Sequence, residues 1–145
     1  MSLPPKLAEI IEDLSFFPDR AEKIQVLISI AERFRPISSD LASPPYDEPH
    51  KVPACESEAY GWAWVEEGKL RVEFAVLNPQ GISAMTMAVV LRDALNGEDP
   101  ALAAGLTEDV VYSIFGRELS MGKSAGLMGM VSLVRHYAAL GRSAP

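Results

Sequence analysis

The stretch AYGWAWVEEGKLRVEFAV, Ala59 to Val76, decides the fold. Its first half alternates Tyr60, Trp62 and Trp64 with Ala59, Gly61, Ala63 and Val65. Its second half alternates Leu70, Val72, Phe74 and Val76 with Arg71, Glu73 and Ala75. Period-two patterning on both sides of a Gly-containing turn, EEGK, predicts an antiparallel hairpin. The three rings in alternation could equally form a stacking platform for bases, but such a platform needs basic residues beside it. The chain carries a net charge of −7 with its Lys and Arg scattered, so the aromatic strand reads as core packing.

Outside the hairpin the apolar period is that of helices. Leu7, Ile10, Ile11 and Leu14 follow Pro5, which suits a first helical turn because its missing N–H is not needed there. Asp19 and Glu22 stand at capping-box spacing before a stripe of Ala21, Ile24, Leu27, Ile28, Ala31 and Phe34, which predicts a second helix to about Arg35, before Pro36. After the turn signal NPQG, Asn78 to Gly81, a helix capped by Ser83 is expected to run to Asn96-Gly97. Two short helices in DPALAAG and TEDVVYSIFG follow, and a last helix from about Ser124 to Leu140. Strands grouped together rather than alternating with helices predict an α+β fold, a small antiparallel sheet covered on one face by helices, with a third strand left open.

Residues 36–58 carry no period and hold prolines at 36, 44, 45, 49 and 53. A loop of that length is more often functional or disordered than incidental. It delivers the chain to Cys55, the single cysteine. With 145 residues, 48% of them hydrophobic, we expect one domain over 1–145. Its parts would be N-terminal helices in 1–35, the Pro-rich loop with Cys55 in 36–58, the hairpin in 59–77 and helices in 83–140. No apolar run reaches the roughly 20 residues of a membrane span, and acids interrupt the N-terminus, so a soluble cytoplasmic protein is expected.

A lone cysteine is most often a small buried hydrophobe. Cys55, however, lies off any apolar stripe, at the junction of loop and strand, where reactive groups tend to sit. Glu56 and Glu58 oppose thiolate formation, while His50 and Lys51 would offset them if the loop folds back. That setting suits a thiol activated by a partner better than an independent hydrolase. Cys55, His50 and His136 are too few for a zinc site or a cluster scaffold, so no metal and no cofactor is expected. GKSAG, Gly122 to Gly126, lacks the spacing of a phosphate loop. Met85, Met87, Met121, Met128 and Met130 read as core or partner surface.

Three stretches in order resemble the SufE-type sulfur acceptors, a family that includes CsdE-like proteins. VPACESEAY, Val52 to Tyr60, is similar to the family's Val-x-Gly-Cys-x-Ser-x-(Val/Thr)-Trp signature, with Cys55 and Ser57 in register. AMTMAVVLRDALNGEDP resembles the family's helix and Asn-Gly-x-(Thr/Asp)-Pro turn. LSMGKSAGLMGMVSLVR, Leu119 to Arg135, is similar to its Leu-(Ser/Thr)-x-x-Arg-x-x-Gly-Leu-x-x-Met motif. The departures are Ala54 for a glycine, Tyr60 for a tryptophan with Trp62 nearby, Lys123 for an arginine, and Gln80, Gly81 and Met85 where an acid and a lysine are common.

The resemblance implies a sulfur carrier rather than an independent enzyme. Cys55 would accept persulfide sulfur from a pyridoxal-phosphate-dependent cysteine desulfurase of the SufS type and stimulate that enzyme. It would then pass the sulfur to an iron–sulfur scaffold of the SufBCD type, with Lys123, His50 and Ser57 in support. Two other readings stay open: a regulatory protein that docks on a desulfurase without carrying sulfur, and an independent thiol enzyme pairing Cys55 with His50.

Overall fold

A computed structural model describes residues 2–55 and 57–145. Strands β1, Ala59–Glu66, and β2, Lys69–Val76, pair antiparallel, from Ala59 opposite Val76 to Glu66 opposite Lys69. Glu67 and Gly68 make the turn with φ of 52° and 76°, the left-handed pair that lets a two-residue connection follow the twist of its strands. Cross-strand partners share a face, so Tyr60, Trp62 and Trp64 stand with Ala75, Glu73 and Arg71. Ala59, Gly61 and Ala63 stand on the opposite face with Val76, Phe74 and Val72.

The helices are α1, Pro5–Ser15, α2, Arg20–Ala31, α3, Ile82–Leu95, α4, Val110–Phe115, and α5, Met121–Leu140, with 3-10 turns at Glu48–His50 and Pro100–Gly105. The face of small β1 residues receives α5, and β2 receives α3. A Cβ on Gly61 would stand 2.9 Å from Leu133 Cδ2 and 3.0 Å from Phe74 Cε1, so glycine sets how closely α5 lies on the sheet. Phe74, Met87, Leu91, Met130 and Val131 are fully buried in this layer. Each such side chain contributes about 1.5–3 kcal/mol. Helices α1 and α2 pack on α3, and the buried Thr86 hydroxyl donates to the Leu27 carbonyl at 2.7 Å.

The other face is covered by the Pro-rich loop instead of by helices. Ile37, Tyr60, Trp62, Trp64 and Ala75 form a second buried cluster, with Ala42 and Tyr46 against it. The Tyr46 ring meets Trp62 edge-on at 5.2 Å and Tyr60 at 5.1 Å. The aromatic strand is therefore packed inside and presents no stacking platform. Within that layer Glu73 is buried beside Arg92, at 3.4 Å, and Arg71, at 3.9 Å. Burial pushes its carboxyl above the usual range against the pull of the two guanidinium groups.

Among the described residues no third strand forms. Isolated backbone donors reach the hairpin instead: Gly97 N to the Leu70 carbonyl, Ile37 N to the Phe74 carbonyl and Val52 N to the Ala59 carbonyl, all at 2.8 Å, with Lys51 bridging Tyr60. Pro36 and Pro53 adjoin Ile37 and Val52 and carry no N–H, which stops either of those contacts from extending into a ladder.

Three helix boundaries and one cap contact differ from the sequence expectation. Helix α2 stops at Ala31, and the turn beyond it closes through Arg33 N to the Ile30 carbonyl and Phe34 N to the Ala31 carbonyl. Asp19 caps α2 by accepting from Ala21 N at 3.0 Å, a contact two residues on rather than the three of a capping box. Helix α3 begins at Ile82 with Gly81 at its N-cap, so Ser83 lies inside the first turn. Helix α5 begins at Met121, because the Ser120 hydroxyl accepts from Lys123 N at 3.2 Å and starts the helix ahead of Ser124. Among the described residues no helix is long and apolar enough to cross a membrane.

Arg135 ties α5 to the segment before α4, donating to the Leu106 carbonyl at 2.7 Å and to the Glu108 carboxylate. That hydrogen bond holds the Glu108 carboxyl below its ordinary 4.5. A lowered carboxylate stabilises the fold above the unfolded-state value, and the contribution is lost as pH falls through the folded-state value. Because both side chains are partly exposed, the effect is modest. We expect Glu108→Gln to destabilise the protein by on the order of 0.5 kcal/mol at pH 7. The difference should vanish at pH values below the carboxylate range, as read from urea midpoints across pH.

Candidate functional site

The Cys55 segment is anchored at its base. Val52 is 2% exposed, and its N–H and the Ala59 carbonyl close the base of the loop. Upstream, the His50 ring stacks between Trp62, with centroids 5.1 Å apart, and Tyr137, at 4.8 Å. His50 Nδ1 lies 2.9 Å from the Gly61 carbonyl oxygen, which can only accept, so that nitrogen carries the proton and donates. The Tyr137 hydroxyl donates to the Pro49 carbonyl at 2.6 Å. These contacts fix residues 49–52 to β1 and α5.

Beyond Val52 the chain lies directly on α5, at a place made for it by glycine. A Cβ on Gly129 would stand 2.6 Å from the Pro53 carbonyl oxygen, and one on Gly126 would stand 2.9 Å from Cys55 Cα. On the far side of the loop a Cβ on Gly81 would stand 2.9 Å from Ser57 Oγ. A side chain at Gly126 or Gly129 would have to move loop backbone, and one at Gly81 would have to displace the Ser57 side chain. Gly126 and Gly129, one helical turn apart, present the same face of α5 to residues 53–55. Sequence reading passed over these glycines. The available signal was their spacing with Gly122 inside a helix whose interior glycines each cost about 1 kcal/mol, a cost that calls for a packing reason.

Cys55 itself is half-buried, packed against the main core on one side and open on the other. It opens onto a depression of about 180 Å³ lined by Ser57, by Gln80 to Ala84 at the start of α3, and by Gly122, Lys123, Gly126 and Leu127 of α5. Ser57 and Lys123, separated widely in sequence, thus meet Cys55 in one place. Gly81 gives α3 no side-chain cap, and Gly81 to Ala84 line the depression at the positive end of that helix's dipole, with the Ile82 N–H donating to the Gln80 carbonyl at 2.9 Å.

His50 does not join them. It lines a different depression on the Trp62 side of the hairpin, with Tyr46 and Asp47. His136 is exposed on α5, its ring edge against Tyr137 at 5.1 Å. Among the described residues no group of three or more His, Cys, Asp or Glu side chains could hold a metal ion. Glu58 is turned away toward the aromatic layer, where its carboxylate accepts from the Tyr60 hydroxyl at 2.8 Å and raises that hydroxyl above its usual range. Glu56 lies outside the described residues. The GKSAG stretch forms the first turns of α5 rather than a loop after a strand.

The sequence profile of the SufE family, described as an Fe-S metabolism associated domain, matches residues 8–138. No curated protein matches the chain. Among solved structures, the chain is similar to the solution structure of a hypothetical protein from Thermus thermophilus. The two share 24% identity over 96% of this chain and 97% of that one, with a TM-score of 0.73, a likeness of fold.

The stacked His50 gives the anchoring of the loop a direct check. His50→Ala removes two ring contacts and one hydrogen bond, and we expect it to lower unfolding stability by about 1–3 kcal/mol in chemical denaturation. His50→Gln, which keeps a donor but not the ring, should recover only part of the loss.

Proposed function

The chain belongs to the SufE family and is thereby associated with iron–sulfur metabolism, and on that premise we propose that it is a sulfur acceptor working through Cys55. The donor is the persulfide of a pyridoxal-phosphate-dependent cysteine desulfurase in the cytoplasm, and the receiver is an iron–sulfur scaffold complex. The observation that carries this reading is the half-buried position of Cys55 at the lip of a small depression lined by both polar and apolar residues. A fully buried thiol could not meet a partner's sulfur, and a fully exposed one would leave acquired sulfur open to reductants.

The chemistry is a thiol exchange with no net oxidation. The Cys55 thiolate attacks the terminal sulfur of the donor persulfide and forms a new S–S bond. The donor's own S–S bond breaks, and its electron pair leaves on the donor cysteine, which is reprotonated. In the product the terminal sulfur carries the charge. Lys123 and the first turn of α3 line the depression, and a lysine and the positive end of a helix dipole both favour negative charge there. Ser57 offers a hydroxyl to the same space. By removing the donor's sulfur the chain would relieve the desulfurase of its product and so raise its turnover.

Docking is served by the surroundings. Met121 is 88% exposed, and Ile82 is exposed as well; Ile82 lines the depression and Met121 adjoins its lining residue Gly122. Large apolar side chains gathered at the lip of a reactive group mark a contact surface. A Cys–His enzyme finds no support in this arrangement, since the imidazole of His50 is committed to the aromatic stack on the other side of the hairpin.

The test is desulfurase turnover measured with and without the chain. We expect the parent protein to raise turnover and Cys55→Ser to leave it at the level of the desulfurase alone. Lys123→Ala should reduce the stimulation by about ten-fold or less, in line with one charged contact of about 1 kcal/mol. Stimulation by Cys55→Ser equal to the parent's would instead favour a docking regulator that carries no sulfur.

A further inference from the structure

Ala54 has a φ of 58°, inside the left-handed region that a residue with a Cβ avoids. Among the described residues Glu67 is the other non-glycine with a positive φ, and there the hairpin turn demands it. At Ala54 the demand comes from both neighbours. Val52 and Pro53 are fixed against β1 and Gly129, and Cys55 Cα is pressed to Gly126. Pro53 has its own φ set by its ring, so the reversal that brings Cys55 toward the depression falls on Ala54. The Ala54 methyl is exposed and gains no buried contact in return.

We propose that Gly126 and Ala54 are opposed positioning residues for the Cys55 thiol. The Cβ-free surface of Gly126 lets Cys55 seat against α5, and the left-handed backbone of Ala54, which relaxes when the segment leaves that surface, favours departure. The pair sets how often the thiol leaves its seat. That this balance governs release of carried sulfur rests on the sulfur-acceptor reading above; the seating itself rests on the backbone geometry alone.

The experiment reads the thiol directly. Because Cys55 is the single cysteine, the rate of N-ethylmaleimide labelling of the full chain, followed by mass, reports its accessibility without any sulfur donor. Ala54→Gly removes the strain of the seated form while adding some freedom to the departed one, and we expect labelling to slow by about three-fold. Gly126→Ala crowds the seat and should speed labelling by about ten-fold, measured where circular dichroism shows the variant folded. An Ala54→Gly rate equal to or above the parent's overturns the proposal, and this variant adds no atom that could prevent folding. A folded Gly126→Ala that labels at the parent's rate overturns it as well. A chain that never accepted sulfur would still give the expected rates, so the two readings fail separately.

Discussion

The arrangement around Cys55 depends on one constraint, the contact of a loop backbone with the backbone of α5. Gly126 and Gly129 leave a strip of helix without side chains, and residues 53–55 lie in it at distances that a single methyl would violate. Such contacts gain from dispersion between closely packed backbones and give little from burial, so they hold position more than they add stability. From that seat follow the half-buried place of Cys55, the depression it shares with Ser57 and Lys123, and the unusual φ of Ala54.

The hairpin stands behind this contact on both sides. Its small-residue face accepts α5 closely enough for the glycine strip to reach the loop. Its aromatic face holds the start of the same loop through Tyr46, His50 and Ile37. The lead-in to Cys55 is thus the second cover of the sheet as well as a connection. Tyr137 joins the two sides, stacking on His50 and binding the Pro49 carbonyl while its helix packs the opposite face.

Much of this was legible in the sequence. The alternation of Tyr60, Trp62 and Trp64 gave the strand, its register of faces and its burial, because period-two patterning is a property of side chains alone. The order of helices was legible for the same reason. What was hidden belongs to backbone and long-range contact. Nothing near Pro36 announces that Ile37 will donate to Phe74, and nothing around Gly81 announces that Ser57 will fill the space of its missing Cβ. His50 was misplaced beside the thiol because proximity in sequence was the only guide to it. Its true neighbours, Trp62 and Tyr137, are set by the fold. Ala54 was legible as a position where a Cβ is costly, though the sign of its φ needed coordinates.

The acidic setting, poor for a thiol on sequence alone, is also resolved in part, since Glu58 is engaged by Tyr60. What faces Cys55 across the depression is a lysine, a serine and the start of a helix. Intact-mass measurement of the chain after incubation with a cysteine desulfurase and cysteine tests the central claim most directly. A gain of sulfur that is lost on reduction and absent from Cys55→Ser is the result the account predicts. A parent protein whose mass stays unchanged while the desulfurase turns over would contradict it.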